Sequence, residues 1–256
     1  MQDIFKALII ALVQGITEWL PVSSSGHIAL AENLLNYPQS LEFEVALHFG
    51  TLMAVFVYFG KDITDIIKEV LRLNFKSENG KLSIYLLIAT IPAVIIGFFL
   101  EKISYSIFSN LTLTSLGFAV TGILLIITSL SKKQNRKLNN KKSLIIGLAQ
   151  VFALFPGVSR SGATISTGIL SGLNEKNAAK FSFLMSIPII FGANILTIGN
   201  KTLPSELVWA TLLSFITGLI TLHIFYKYVL TSRKNLRYFG YYAILIAIAS
   251  LIFTLI

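Results

Sequence analysis

The stretch from Gln14 to His27, with the sequence QGITEWLPVSSSGH, interrupts an apolar run with polar, Ser-rich residues and a glycine. A second stretch, Gln150–Thr164 with the sequence QVFALFPGVSRSGAT, interrupts the chain in the same way. We call these stretches the first break and the second break. Irregular backbone at membrane depth is tolerated only where protein or a watery cavity covers it. The two breaks are therefore predicted to meet inside the membrane and to form one site.

The composition indicates a membrane protein. Hydrophobic residues make up 54% of the 256 residues, charged residues only 13%, and the mean hydropathy is +0.76. Soluble domains carry roughly twice that share of charged residues. Apolar runs of about 17–25 residues recur along the chain, as a hydrocarbon core of about 30 Å requires. The fold class is therefore predicted to be all-α integral membrane, against the alternative of a soluble domain with an unusually apolar core.

Six segments are predicted to cross the membrane: Phe43–Phe59, Leu82–Leu100, Leu113–Leu130, Ala178–Ile198, Leu207–Val229 and Phe239–Ile256. Residues 4–34 and 143–173 each contain a helical arm, a Pro-containing break and a second arm that is too short or too polar to span alone. These two regions are predicted to be re-entrant helical hairpins, which enter and leave the membrane on one face.

An internal repeat relates the two breaks. Leu12–Gly26 aligns with Leu148–Gly162 without a gap at an offset of 136, and both contain Ser-x-Ser-Gly. Each half then has one hairpin and three crossings, and an odd number of crossings inverts the second half. The chain is predicted to be a single membrane domain over residues 1–256, with repeat 1 at 1–131, a basic linker at 132–142 and repeat 2 at 143–256.

The charge distribution predicts the topology. Loops 60–81, 131–142, 173–180 and 227–237 hold 17 of the 21 Lys and Arg residues. The opposite side holds only Lys6, Lys102 and Lys201. The positive-inside rule places the basic loops in the cytoplasm and both termini outside the cell membrane. Because topology and anionic lipids explain the net charge of +9, no nucleic-acid partner is expected.

The absence of cysteine excludes thiolate metal sites and cysteine nucleophiles.

Glu18 and Arg160 are the strongest chemical signals. A charge at the bilayer centre costs about 2.5–3.5 kcal/mol on insertion scales, so each is expected to have a partner or a task. A buried ion pair that only joins the two halves is one interpretation, and a functional site is the other. Gln14 precedes Glu18 by one helical turn and shares its face. One carboxylate and one amide form a Mg²⁺ or Ca²⁺ site only when substrate phosphates complete it.

The serines suggest an anion site. Ser23–Gly26 and Ser159–Gly162 precede short helical arms, and hydroxyls together with free N–H groups at a helix start bind anions. The alternative is that they only cap the helices. Arg160 adds a planar guanidinium group whose N–H donors suit phosphate oxygens. His27 can act as a base, nucleophile or proton donor, and His48 is a candidate for lining the cavity.

At these residues the chain resembles the undecaprenyl-diphosphate phosphatases of the bacitracin-resistance type. The family motif Glu/Gln-x-x-x-Glu followed by Pro-Val-Ser-Ser-x-Gly-His is present from Gln14 to His27, and Pro-Gly-x-Ser-Arg-Ser-x-x-Thr is present at Pro156–Thr164. The segments FGTLMAV at 49–55, IPAV at 91–94 and FSFLMSIP at 181–188 also look like family segments. The resemblance extends over essentially the whole chain.

The resemblance implies a membrane hydrolase that removes the terminal phosphate of a polyprenyl diphosphate, recycles the carrier lipid for cell-wall and glycan synthesis, and confers bacitracin resistance. It also implies an inverted-repeat fold with an active site open to the outer face. The implied catalytic residues are Glu18, Ser24, His27 and Arg160. The implied substrate-binding residues are Gln14, Ser23, Ser25, Gly26, Ser159, Ser161, Gly162 and Thr164.

The family's divalent-ion dependence implies Mg²⁺ or Ca²⁺ bridged by Glu18 and the substrate diphosphate. The chain departs from the family at Gln14, where other members have Glu, and this places two-carboxylate metal binding in doubt. The expected partners are the polyprenyl diphosphate and membrane lipids, and the sequence leaves a homodimer open. Either Ser24 attacks phosphorus with His27 or Glu18 as base, or water attacks directly. The rival function is a transporter or flippase for an anionic prenyl phosphate lipid.

Overall fold

The computed structural model describes residues 2–38, 40–108, 110–198 and 205–255, and all regular structure in these ranges is helical. A short π-helical turn at Phe225–Val229 and a 3₁₀ turn at Arg233–Asn235 precede the last helix. The α-helices of the described ranges are α1 (Gln2–Thr17), α2 (Ser24–Leu35), α3 (Leu41–Tyr58), α4 (Gly60–Leu71), α5 (Glu78–Phe108), α6 (Leu111–Leu130), α7 (Asn140–Phe152), α8 (Arg160–Leu170), α9 (Glu175–Ile198), α10 (Ser205–Ile224) and α11 (Leu236–Leu255).

Six helical segments are long and apolar enough to cross a membrane. They are Leu41–Tyr58, Glu78–Phe99, Leu111–Leu130, Glu175–Thr197, Leu207–Val229 and Arg233–Leu255. These segments coincide with the six predicted crossings, and most ends differ by only a few residues. The largest differences are at segment starts, because polar first turns continue the helices beyond the apolar core. The protein is therefore an all-α, multi-pass membrane protein.

The helices around the two breaks are short. Helices α1, α2, α7 and α8 contain 16, 12, 13 and 11 residues. At a rise of 1.5 Å per residue they are about 17–24 Å long, less than a hydrocarbon core of about 30 Å. The prediction that the second arm of each region is too short to span alone is confirmed for α2 and α8. The re-entrant path and the inverted relation between the halves stay predictions.

The four basic segments lie at one end of the molecule. Their contacts are Lys180 with Asp62, Asn174 with Asn135, and Arg233 with both Glu175 and the carbonyl oxygen of Lys132. Segments 60–81, 131–142, 173–180 and 227–237 thus share one face, as the charge distribution predicts. Which side of the cell membrane this face occupies stays a prediction. Lys201, assigned to the opposite side, lies outside the described residues, as does the side chain of Lys102.

Segment 60–81, treated as a connecting loop above, contains the amphipathic helix α4. Ile63 and Ile66 pack against the hydrophobic core, whereas Val70 and Leu71 are exposed beside charged residues. A helix with one apolar edge and a charged face suits the boundary between headgroups and acyl chains. Because charged residues are mixed among its apolar residues, mean hydropathy did not reveal this helix.

Helices α6 and α11 pack closely against each other at Gly122 and Gly240. A Cβ atom added to Gly122 would lie 2.7 Å from the carbonyl oxygen of Gly240, too close for a side chain. The hydroxyls of Ser115 and Ser250 form a 2.7 Å hydrogen bond in the same interface. Small residues allow such close approach between membrane helices, where packing drives association. Another face of α6 exposes Leu116, Val120, Ile123 and Ile127.

Replacing Gly122 with valine should separate α6 from α11 and destabilise the protein by about 1–3 kcal/mol, the usual cost of overpacking. Thermal unfolding in detergent, followed by size-exclusion chromatography, measures the effect. The matched control is Gly192→Val in α9, because a Cβ at Gly192 meets nothing within 4 Å. Equal melting temperatures for the two variants would contradict close packing at Gly122.

Candidate active site

The two breaks are joined by an ion pair. Arg160 Nη2 donates to Glu18 Oε1 over 2.6 Å, although the residues are 142 positions apart. Only 4% of the Glu18 side chain and 18% of the Arg160 side chain are exposed. The Ser161 hydroxyl also donates to the carbonyl oxygen of Leu20 over 3.0 Å. The prediction that the two breaks meet is therefore confirmed.

The second oxygen of the Glu18 carboxylate has three close partners. Ser24 Oγ donates to Oε2 over 2.6 Å and Gln14 Nε2 donates over 3.0 Å. His48 Nδ1 lies 3.2 Å from the same oxygen. Gln14 Nε2 is also 2.9 Å from His48 Nδ1 and 3.4 Å from the Thr51 hydroxyl. A buried carboxylate needs such donors because water no longer stabilises its charge.

The tautomer of His48 decides how this cluster is connected. When the proton is on Nε2, Nδ1 accepts a hydrogen bond from Gln14, whose second N–H donates to Glu18. When the proton is on Nδ1, the ring donates directly to Glu18 Oε2. His48 can therefore either donate to the carboxylate or hold a proton beside it, so it adds acid–base capacity to the cluster.

Helices α2 and α8 begin in equivalent ways. Ser23 Oγ accepts from the N–H of Gly26 over 3.4 Å, and Ser159 Oγ accepts from the N–H of Gly162 over 3.0 Å. The first helical residues are Ser24 and Arg160, which the 136-residue offset pairs in the sequence. Both residues contact Glu18. The positive end of each helix dipole therefore lies close to the carboxylate, where it also favours an anionic ligand.

Ser23 has a strained backbone. Its φ is 68° and its ψ is 94°, a conformation that L-residues other than glycine rarely adopt. Such strain costs about 1–3 kcal/mol and persists where the surroundings hold it in place. Here the strained residue sets the path of the chain immediately before Ser24 and orients that hydroxyl toward Glu18. The Ser25 hydroxyl lies 3.4 Å from the Ser23 hydroxyl.

The Arg160 side chain is fixed from several sides. Its guanidinium carbon lies 5.5 Å from the centre of the Trp19 ring, a cation–π distance. Nη1 donates to the carbonyl oxygen of Ser182 over 3.4 Å. Thr164 supports this region through a 2.6 Å hydrogen bond between its hydroxyl and that of Ser182. A guanidinium has five N–H donors, so Arg160 keeps donors for an anion after binding Glu18.

The ring nitrogens of His27 have partners other than the Glu18 carboxylate. Its Nδ1 lies 2.7 Å from the carbonyl oxygen of Ser23, which requires a proton on Nδ1. Its Nε2 lies 2.8 Å from the Tyr242 hydroxyl, whose ring stacks on the imidazole at 5.7 Å. Phe118 contacts the imidazole edge-on at 5.0 Å. Both ring nitrogens are thus engaged outside the Glu18 cluster, and the catalytic role of His27 stays a prediction.

The structure adds site residues that the sequence did not single out. Thr51 reaches Gln14 from α3, and Ser182 reaches both Arg160 and Thr164 from α9. Tyr242 contacts His27 from α11. Ser182 lies within FSFLMSIP, one of the family-like segments quoted above, which was the only sequence signal for it. Tyr242 is one of several tyrosines at the start of α11 and carried no distinguishing signal.

A divalent cation fits this site only together with phosphate. In the described part of the chain, no group of three or more His, Asp or Glu side chains is arranged to hold a metal. Gln14 Oε1 is buried without a hydrogen-bond partner there, so one amide oxygen remains for a hard cation beside the Glu18 carboxylate. Hard cations need about six or more oxygen ligands. The remaining ligands would have to come from the phosphates of a bound substrate and from water.

The fold and the site together define an integral membrane protein with a carboxylate–arginine–serine site at the junction of two helix N-termini. The family model described as Bacitracin resistance protein BacA matches residues 7–249. The chain belongs to this family, and the resemblance inferred from the two breaks is confirmed.

Individual relatives match over nearly their whole length. The chain is 41% identical to an undecaprenyl-diphosphatase of Korarchaeum cryptofilum (strain OPF8), over 97% of this chain and 98% of that protein. It is 40% identical to an undecaprenyl-diphosphatase of Thermosipho melanesiensis, over 96% and 97% of the two chains. A third relative of the same name, from Caldicellulosiruptor bescii, is 39% identical over 98% of each chain.

The ion pair can be tested by charge removal. Glu18→Gln leaves the buried Arg160 unpaired and should cost about 3–5 kcal/mol of stability. The double variant Glu18→Gln/Arg160→Gln removes both charges and should regain most of that loss, as seen when both members of a buried pair are replaced. Thermal unfolding in detergent measures both effects.

Inorganic pyrophosphate separates the two interpretations of the pair. Wild-type protein should gain thermal stability with pyrophosphate, and the double variant should not. Equal protection of both proteins would mean that the pair only joins the two halves.

Proposed function

We propose that this chain is an undecaprenyl-diphosphatase, which hydrolyses a polyprenyl diphosphate to the monophosphate and inorganic phosphate. The observation that carries the proposal is the 2.6 Å hydrogen bond from Ser24 Oγ to Glu18 Oε2, with Arg160 on the other oxygen. The printed names of the relatives agree with this activity. Hydrolysis would recycle the carrier lipid for cell-wall and glycan assembly, and rapid recycling would underlie bacitracin resistance.

The arrangement supports a proton transfer from Ser24. Ser24 Oγ attacks the terminal phosphorus, its proton moves to Glu18 Oε2, and the anhydride P–O bond breaks. The polyprenyl monophosphate leaves, and water then hydrolyses the phosphoserine and regenerates the hydroxyl. His48, at 3.2 Å from the same carboxylate oxygen, can take part in removing the proton. A charged hydrogen bond this short is what a base needs in order to act on a hydroxyl.

The positive groups stabilise the charge that develops on the phosphate oxygens. Arg160 offers the N–H groups that Glu18 does not use, and the N-termini of α2 and α8 offer backbone N–H groups. Ser23, Ser25, Gly26, Ser159, Ser161, Gly162 and Thr164 form the turns and hydrogen bonds that hold these donors. In phosphoryl transfer, positioning and charge stabilisation supply nearly all of the catalysis.

A divalent cation, Mg²⁺ or Ca²⁺, is proposed to bind with the diphosphate beside Glu18 and the free amide oxygen of Gln14. Such a cation would neutralise part of the diphosphate charge. The protein groups keep their own tasks, since Gln14 orients Glu18 and Arg160 contacts its other oxygen.

The site is proposed to open toward the outer face of the cell membrane, with the basic loops in the cytoplasm and both termini outside. This orientation is supported by the concentration of Lys and Arg on one face of the molecule. Outside, the site would meet the diphosphate that glycan assembly releases.

Ser24→Ala should lower the rate of phosphate release from undecaprenyl diphosphate by about 10²–10⁴-fold, because the proton route to Glu18 is lost. Purified protein in detergent, assayed for inorganic phosphate, provides the measurement. Ser83→Ala is the matched control, since Ser83 is buried and its hydroxyl donates to the carbonyl oxygen of Gly80 in its own helix.

The Ser24 experiment also separates the two chemical routes. Acid quenching of wild-type protein with labelled substrate should trap a phosphoserine at Ser24. Nearly full activity of Ser24→Ala would instead assign the attack to water with Glu18 as base. A phosphohistidine at His27 would overturn both routes. Vesicle uptake of the lipid without phosphate release would favour the transporter.

Gln14→Glu should lower the Mg²⁺ concentration that gives half-maximal activity, because a second carboxylate adds an anionic ligand beside Glu18. Chelation should inhibit the wild-type protein, and added Mg²⁺ or Ca²⁺ should restore it. Protection of both proteins against thermal unfolding by Mg²⁺ with pyrophosphate gives a readout independent of turnover. Activity that chelators leave unchanged would contradict the cation proposal.

A further inference from the structure

A cavity lined by basic side chains lies on the face that carries the basic loops. It has a volume of about 380 Å³ and is formed where the end of α6, the start of α9 and the segment before α11 come together. Its wall contains Lys133, Arg233, Lys234 and Arg237, together with one carboxylate, Glu175. We call it the basic cavity. None of its wall residues belongs to the cluster around Glu18.

The charge of the basic cavity is strongly positive. Four cationic side chains face one carboxylate, and that carboxylate is already paired, since Arg233 Nε donates to Glu175 Oε1 over 2.8 Å. Lys234 and Arg237 are exposed in the cavity wall. The cavity therefore favours an anion.

Arg233 is buried and hydrogen-bonded in the cavity wall, unlike the exposed side chains of a basic surface patch. The residue is 4% exposed, and its Nη1 donates to Ser131 Oγ over 3.1 Å and to the carbonyl oxygen of Lys132 over 2.6 Å. Its Nη2 is buried and has no acceptor among the described residues. Because this guanidinium is buried and one of its nitrogens lacks an acceptor, its positive charge is only partly compensated and favours an anion nearby.

Neighbouring aromatic residues place the cavity at the level of lipid headgroups. Tyr228 and Tyr238 are each 58% exposed at the end of one membrane segment and the start of the next. Lys227 and Arg237 lie over these two rings at 5.1 and 5.0 Å. Exposed tyrosines with basic partners are typical of the membrane–water boundary, and basic pockets between membrane helices bind anionic headgroups.

We propose that the basic cavity binds the phosphate headgroup of an anionic membrane lipid, on the face opposite to the one where hydrolysis is proposed. Lys133, Lys234 and Arg237 contact the phosphate oxygens, and the buried Arg233 adds positive charge to the cavity wall. A lipid bound there would join the end of α6 to the start of α11, and so stabilise the two segments that Arg233 already connects. This site does not depend on the proposed activity.

The test compares lipid binding by two full-length variants in detergent. Lys234→Gln/Arg237→Gln removes two exposed charges from the basic cavity. Lys76→Gln/Lys81→Gln removes two exposed charges from the same face outside the cavity. Both variants keep Arg233 and the Glu18–Arg160 pair. Any lipid binding at the candidate active site is therefore the same in the two variants. Binding of dioctanoyl phosphatidic acid, dioctanoyl phosphatidylcholine and inorganic phosphate is measured by native mass spectrometry and thermal shift.

Dioctanoyl phosphatidic acid should bind wild-type protein more tightly than dioctanoyl phosphatidylcholine, which is zwitterionic. The cavity variant should lose about 10- to 30-fold in affinity, and the control variant should bind as wild type. Equal loss in both variants would show attraction by overall charge and overturn the site. Inorganic phosphate binding as tightly as phosphatidic acid would assign the cavity to free phosphate and overturn the lipid proposal. No preference for phosphatidic acid would also overturn it.

Discussion

The ion pair between Glu18 and Arg160 is the interaction on which the rest of the structure depends. Both residues lie at helix ends beside irregular backbone, and a buried charge without its partner costs several kcal/mol. Neither break could therefore keep its charged residue without the other. The short helix pairs α1–α2 and α7–α8 must be held together, and the long helices do this: α3 and α10 pack on α1, α5 packs on α7, and α6 and α9 pack on α8.

The parts of this fold that could be predicted from the sequence are those with a local cause. Each crossing depends on the hydropathy of its own residues, so all six were found. The starts of α2 and α8 were predictable only approximately, because the helices begin at Ser24 and Arg160, inside the serine stretches that were expected to precede them. Capping by Ser23 and Ser159 extends each helix into its stretch. The amphipathic helix α4 was missed for the opposite reason. Its stability comes from the packing of Ile63 and Ile66 against a core formed by other helices.

The composition of the site was predictable only in part. Gln14 and Glu18 lie one turn apart on a single helix, so their contact followed from spacing. The cost of a charge at membrane depth pointed to Glu18 and Arg160 as partners. Thr51 and Tyr242 reach the site from other helices, and such contacts depend on how the helices pack. Tyr242 is 215 residues from His27, and its hydroxyl takes one of the two ring nitrogens of that imidazole.

Charge balance explains why the helix N-termini matter in this site. Glu18 and Arg160 cancel each other, so the pair alone gives no net attraction for a diphosphate. Additional positive potential comes from the N-termini of α2 and α8, each equivalent to roughly half an elementary charge. A protonated His48 or a cation carried by the substrate would add to this positive potential.

Arg160 keeps free N–H donors, so phosphate can bind without separating the pair. The pair is then a fixed dipole, with its carboxylate on the Ser24 hydroxyl and its guanidinium available to phosphate. In the proposed mechanism, the pair contributes pre-organisation and not net charge.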